Sequence, residues 1–249
     1  DFVGFKWDSG IQNYNIKYDF KHYISDKFKL SYGLNGIYYK FNPGTIKPSS
    51  PESGINPDQL DKKYAFEPSI YIDAENQLSN KITIAYGLRY SLFYRLGPSE
   101  INLYENNNPV IFNSDMQIYE KATPIGTEYY GKNKSIKSYN NLEPRFSVSY
   151  QLNDEDAIKG SYNRMAQYLQ LISNTSSPTP LDVWMPSDNY IKPQIADQVA
   201  VGYFRNIKNG AYSLEVETYY KEIQNRLDYI DGADLIANNA IEQVILNGQ

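Results

Sequence analysis

His22 is the only histidine in the 249 residues, and cysteine is absent. The side chains that most often serve as bases, nucleophiles and soft metal ligands are therefore nearly missing. His22 stands beside Tyr23 next to a short polar turn, where a ring at a membrane interface accounts for it better than catalysis does. No Gly-x-Ser-x-Gly elbow occurs, so a hydrolase nucleophile of that kind is unsupported. Gly126 to Lys132 reads G-T-E-Y-Y-G-K, but Asn133 stands where a phosphate-binding loop needs a hydroxyl for Mg²⁺. Glu215 and Glu217 are two residues apart and share one face of a strand, where a water-filled interior explains them without acid–base chemistry. The expectation is a protein without catalytic function, cofactor or metal site. Binding has more to stand on. Tyr119, Tyr129, Tyr130 and Trp184 lie in long segments rich in Pro and Asn, where exposed rings can stack on a sugar or chelate ligand. Equally, they can pack one loop against another.

These rings must be held by something, and one period dominates the sequence. From Ile82 to Tyr94 every even position is large and apolar, while most odd positions are small or polar. That pattern describes a strand with an oily face and a mixed face, Ile82, Ile84, Tyr86, Leu88 and Leu92 on one side and Arg89 and Ser91 on the other. The same alternation runs through Tyr14–Phe20, Phe28–Leu34, Phe146–Leu152 and Tyr212–Tyr220, and more weakly through Tyr64–Leu78, Asp156–Leu169 and Ile195–Arg205. On this reading Arg89, Arg145, Glu215 and Glu217 face a polar interior. Asp231 to Leu246 has some helical spacing (Leu235, Ile236, Ile241, Val244, Ile245), but its Gly and Asn content makes it a loop with one turn.

The connections alternate in length. Short turns at Ser25–Lys27, Ser79–Lys81, Asn153–Glu155 and Asn206–Gly210 alternate with long segments at 42–63, 97–139 and 170–194 and from 230 onward. An up-and-down barrel has short turns on one side and long loops on the other, and loops beyond about 15 residues are uncommon in compact domains. Each hairpin arm has room for about 12 residues or more, against the 9–11 needed to cross hydrocarbon on a tilt. The fold expected is all-β: an antiparallel up-and-down transmembrane barrel, here a partial wall of about eight or nine long strands with long extracellular loops. Its four short turns should share one rim. His22, Tyr23, Tyr38, Tyr94, Tyr150 and Tyr203 should form interfacial girdles.

Composition agrees. The 25 Tyr, 10 Phe and 2 Trp suit a boundary between oil and water. No stretch approaches 18 consecutive apolar residues, which excludes a spanning helix but not spanning strands. A net charge of −5 argues against nucleic acid as a partner. The chain starts at Asp1 with no charged-then-apolar leader and ends in mid-pattern at Asn247-Gly248-Gln249, so an excised piece is expected.

Several segments resemble strands of TonB-dependent outer-membrane receptors. They are Glu67–Ile72, Ile84–Tyr90, Asn141–Ser147, Ser161–Arg164, Glu217–Lys221 with Asn225, and the run from Trp184 through Ile191–Gln194 and Ala196–Gln198. The last is the most specific, because a P-x-x-A-D/E-Q stretch opens a strand after a long extracellular loop in that family. The resemblance implies an active importer in the outer membrane, a barrel of about 22 strands closed by a plug and pulled on by the TonB energy-coupling complex. Neither plug nor docking segment is in this chain, so residues 1–249 read as part of one barrel domain. The substrate implied is a scarce nutrient such as a metal chelate or glycan. The rivals are a surface receptor or adhesin barrel that binds without transport, and a soluble all-β ligand-binding protein.

Overall fold

Period-two alternation is realised as eight long antiparallel strands in a computed structural model that describes residues 4–173, 182–208, 210–235 and 238–247. They are β1 (Phe5–Ser25), β2 (Phe28–Pro48), β3 (Lys63–Gln77), β4 (Ile82–Leu96), β5 (Ser135–Gln151), β6 (Asp156–Gln167), β7 (Gln194–Ile207) and β8 (Tyr212–Gln224). Each pairs only with its sequence neighbours, in the order β1 to β8, and a two-residue strand at Asp58–Gln59 adds to β2. Among the described residues β1 and β8 remain unpaired on their outer sides. The sheet is an open half-barrel.

Because every neighbour is antiparallel, the four short turns fall at one rim, as expected. Hydrogen bonds tie one turn to the next there: Gln77 N to Lys27 O (2.8 Å), Gln151 N to Lys81 O (2.7 Å) and Asn206 N to Glu155 O (2.8 Å). Asn209, inside the fourth turn, lies outside the described residues, as does Ile236. At the other rim, Ile241–Val244 forms one 3-10 turn where the sequence suggested a turn.

The register makes the two faces continuous. One outward row joins His22, Leu30, Ala74, Tyr86, Phe146, Tyr162, Val199 and Tyr220 across all eight strands. Another joins Tyr18, Leu34, Ile70, Tyr90 and Leu142. Ile70 is 61% exposed and Leu142 55%, so none of the described residues covers this face. Tyr14, Tyr38, Phe66 and Tyr94 form an aromatic row near the long-loop rim, whereas Tyr150 and Tyr203 line the short-turn rim. His22 and Tyr23 lie beside the turn that ends β1. On β6 to β8 the apolar band ends at Arg164, Asp197 and Glu222, where Arg164 holds Asp197 through two hydrogen bonds of 2.9 and 2.8 Å. Apolar band, aromatic borders and a charged limit are the surface of a wall that stands in lipid.

Several boundaries differ from the sequence reading. Asn42 to Pro48 belongs to β2 rather than to the loop, although it contains Pro43, Gly44 and Pro48. Pairing with Phe5–Asp8 and with Asp58–Gln59 keeps it extended, and Gly44 leaves room for the Trp7 ring, which a Cβ would meet at 2.1 Å. β5 starts at Ser135, inside the segment 97–139 read as loop, because Ser135 to Tyr139 pair with Phe93 to Leu96.

Candidate functional site

Two layers build a site on the concave face of the sheet. The lower layer is polar. Gly33 permits it, because a Cβ there would lie 2.3 Å from the Tyr18 carbonyl oxygen and 2.8 Å from Cε1 of Tyr71. The Tyr71 ring therefore crosses β2 and its hydroxyl donates to Asp19. Arg89 sits between two carboxylates, 3.7 Å from Glu67 Oε1 and 3.8 Å from Glu143 Oε1. Its Nε is buried and makes no hydrogen bond among the described residues. Glu67 accepts from the Tyr39 hydroxyl (3.1 Å), and Glu143 accepts from Ser91 Oγ (2.5 Å). Tyr168, just beyond β6, reaches down to lie 2.8 Å from Ser91 Oγ, and Asn141 Nδ2 donates to it at 2.8 Å. Its ring stacks on Phe93 with centroids 4.8 Å apart, beside buried Phe41 and Ala65. A hollow of about 410 Å³ opens here, lined by Tyr39, Glu67, Tyr168, Gln194 and Lys221 among others.

The upper layer is made by the connections at the long-loop rim. The connection between β4 and β5 folds into two hairpins, Ser99–Leu103 with Gly126–Tyr130 and Val110–Asn113 with Ile118–Lys121. Leu169–Ile172 pairs with Val183–Pro186, and Leu227–Tyr229 with Ile245–Asn247. These pieces share an apolar core that includes Val110, Ile172, Val183, Ile191, Ile230 and Val244. Burial of that kind is the main source of stability a loop cluster has. Polar ties add to it. Glu242 Oε1 accepts from the Tyr104 hydroxyl (2.8 Å) and Asn102 Nδ2 (2.9 Å), and the Tyr190 hydroxyl donates to Asn102 O (2.7 Å). Burial pushes both tyrosine hydroxyls above their ordinary range, with Glu242 adding to it, so they stay protonated donors at neutral pH.

The predicted ligand-binding rings sit in this cap on three hairpins, Tyr129 and Tyr130 sharing one. Tyr119 is 46% exposed with its ring against Phe112 (5.0 Å), and Tyr129 is 70% exposed. The Tyr130 hydroxyl donates to Glu128 Oε2 at 2.8 Å. Trp184 is 42% exposed on the strand opposite Leu171. Of the four polar residues expected to face the interior, Arg89 belongs to the cluster above. Arg145 is paired with Gly87 and Asn163 below it. Glu215 and Glu217 are opposite Phe204 and Gly202 on the exposed edge strand, away from Arg89. Gly126–Lys132, the sequence with phosphate-loop spacing, begins as a strand and no helix follows it.

Sequence reasoning missed Glu67, Glu143, Tyr39 and Tyr168. The first two carried a signal: both precede a proline, and with Pro68 and Pro144 at outward positions each glutamate must face inward. Tyr168 had none, since it lies past the end of the alternating pattern.

The sequence matches the family model "TonB dependent receptor-like, beta-barrel" over residues 2–248. Among solved structures it is similar to the FrpB iron transporter from Neisseria meningitidis (F5-1 variant, apoprotein form), with TM-score 0.55 and 17% identity, covering 95% of this chain and 32% of that one. The copper transporter OprC aligns with TM-score 0.52 and 11% identity over 89% of this chain and 32% of its own. The alcaligin outer-membrane receptor FauA from Bordetella pertussis aligns with TM-score 0.50 and 11% identity over 93% and 32%. No curated protein matches the sequence. The chain thus spans about a third of the length of these structures.

Proposed function

The chain belongs to the TonB-dependent receptor β-barrel family, whose members stand in the outer membrane, and from that premise we propose that it is wall and cap of an importer for a scarce nutrient, a metal chelate or a glycan. The observation that carries this reading is the layering of the concave face, where a cap with exposed Trp184, Tyr119 and Tyr129 stands above a polar hollow. An outward face of Leu, Ile, Val and Tyr supplies the lipid contact. The exposed rings of the cap offer flat apolar surface to a sugar ring or to the organic part of a chelate.

The polar hollow is the place for a plug. Glu67 and Glu143 flank Arg89 at ion-pair distances too long for hydrogen bonds, and Lys221 lines the same hollow. A polar side chain from a plug would supply the hydrogen bond that Arg89 Nε lacks among the described residues. A plug held by polar contacts can be released by a modest pull, which suits coupling to TonB. Eight strands cannot close such a barrel, so in this proposal residues 1–249 are part of one barrel domain, completed by strands and a plug from elsewhere in the receptor.

The test is growth of cells in which the whole receptor is the only entry route, on a panel of ferric chelates and oligosaccharides, with and without the TonB complex. TonB-dependent growth on at least one of them is expected. Surface binding with no uptake of any would overturn import in favour of a receptor or adhesin that only binds.

A further inference from the structure

Two hollows lie one above the other on the outward face of β1 to β4. The lower has a volume of about 530 Å³ and an almost wholly apolar lining. Its floor is Gly36 opposite Pro68, the two smallest profiles in that row, with Ile16 opposite Gly36 on the other side. Leu34, Ile70 and Tyr90 wall it below, and Phe66 walls it above. The upper hollow, about 320 Å³, is polar and includes Gln12, Lys40, Lys62 and Tyr64. Gln12, Lys40 and Tyr64 are cross-strand partners in one outward row, above the Tyr14–Tyr38–Phe66 row. Asp8 also lines this hollow, which leaves two cations against one carboxylate. Neither lysine is in an ion pair among the described residues, and both are exposed.

We propose that these hollows hold one phosphate-bearing lipid of the outer leaflet, with an acyl chain in the lower and the phosphate between Lys40 and Lys62 in the upper. The inference rests on the outer-membrane placement, and three observations carry it. The apolar hollow is continuous with the lipid-facing band. Gly36 stands about eight residues above the start of β2, roughly 20 Å of height on a strand tilted by ~40°, within a band ~25 Å tall. That is the outer-leaflet side, given that the long connections face outward. The lysines stand beyond the aromatic row, at the level where headgroups lie and where each cation favours an anionic lipid. The recess is one row wide between rows of large side chains. A methylene chain can enter it, and the convex wall of a second barrel cannot.

The full-length receptor, purified in detergent and shown to be folded by its heat-modifiable migration, is delipidated and titrated with diphosphorylated lipid A, and retained lipid is read by native mass spectrometry. One retained lipid is expected. The K40Q/K62Q double variant should retain it about thirtyfold less well, because two headgroup cations are lost. Gly36→Leu should weaken retention by a similar factor. A Cβ there meets Phe66 only at ordinary contact distance (3.6 Å), so the added side chain fills the recess without displacing the backbone. Val201→Leu, on the outward face of β7, should retain lipid as the wild type does, and dephosphorylated lipid A should bind the wild type and the lysine variant alike. Unchanged retention in either the lysine or the glycine variant, or equal retention of phosphorylated and dephosphorylated lipid by the wild type, would overturn the site. A receptor that fails to insert into bilayers would overturn the membrane placement itself. Full insertion with no retained lipid would overturn the lipid site alone.

Discussion

Leu88→Arg is the sharpest perturbation of the two-faced wall. Leu88 is 42% exposed on the outward face, between Ile72 on β3 and Pro144 on β5, near the middle of the apolar band. An Arg at the bilayer midplane of a barrel strand costs about 2–4 kcal/mol. At 1.4 kcal/mol per decade this is roughly 30- to 700-fold in the folding equilibrium. The control is Ala85→Arg, three residues away on the same strand. Its position faces the interior between Glu75 and Ser147, so the new guanidinium meets a carboxylate and water and should shift stability by about 1 kcal/mol or less. The assay is a guanidinium titration of the full-length receptor in thin bilayers, followed by heat-modifiable migration. The midpoint for Leu88→Arg should fall well below that for Ala85→Arg. Equal losses, or a larger loss for Ala85→Arg, would mean that the assigned faces are wrong.

Three further outcomes follow from particular contacts. Tyr104→Phe deletes a hydrogen bond to the Glu242 carboxylate, worth about 1.5–3 kcal/mol; hydrogen exchange should quicken in 97–134 while β4 and β5 keep their protection. Phe93→Ala removes a fully buried ring stacked on Tyr168 and should cost about 3–5 kcal/mol in the same denaturant titration; a loss under 1 kcal/mol would mean that Tyr168 does not anchor the connection after β6. Gly33→Ala puts a methyl group 2.3 Å from a backbone oxygen of β1, so a destabilisation of about 1–3 kcal/mol is expected, with faster exchange along β1.

The strands were legible because a wall with lipid on one side and water on the other imposes strict alternation. Ile82 to Tyr94 shows it without interruption, and the rim of the four short turns followed from connection lengths alone. The end of β2 was not legible. Pro43, Gly44 and Pro48 are loop residues by local preference, and they are extended here because β1 and Asp58–Gln59 pair alongside. Tertiary pairing overrides propensity in such cases. Glu67 and Glu143 could have been assigned to the interior from parity. Their meeting across Arg89 depends on the register of three strands, which no single segment encodes. Tyr168 depends on where a connection turns after its strand ends. The cap was least legible of all, because its core draws on residues from three connections, with Val110, Ile172 and Val244 far apart in sequence.

Among the described residues β1 and β8 each have a free edge, and both their faces are exposed almost throughout. Unpaired backbone groups cost several kcal/mol apiece in lipid, so an open sheet does not span a membrane, and in water such edges template aggregation. The direct measurement is to express residues 1–249 alone, purify them without detergent, and record particle size and the thermal transition. A partial barrel wall should give insoluble or polydisperse material with no cooperative melt. A monodisperse monomer that melts cooperatively in plain buffer would contradict it.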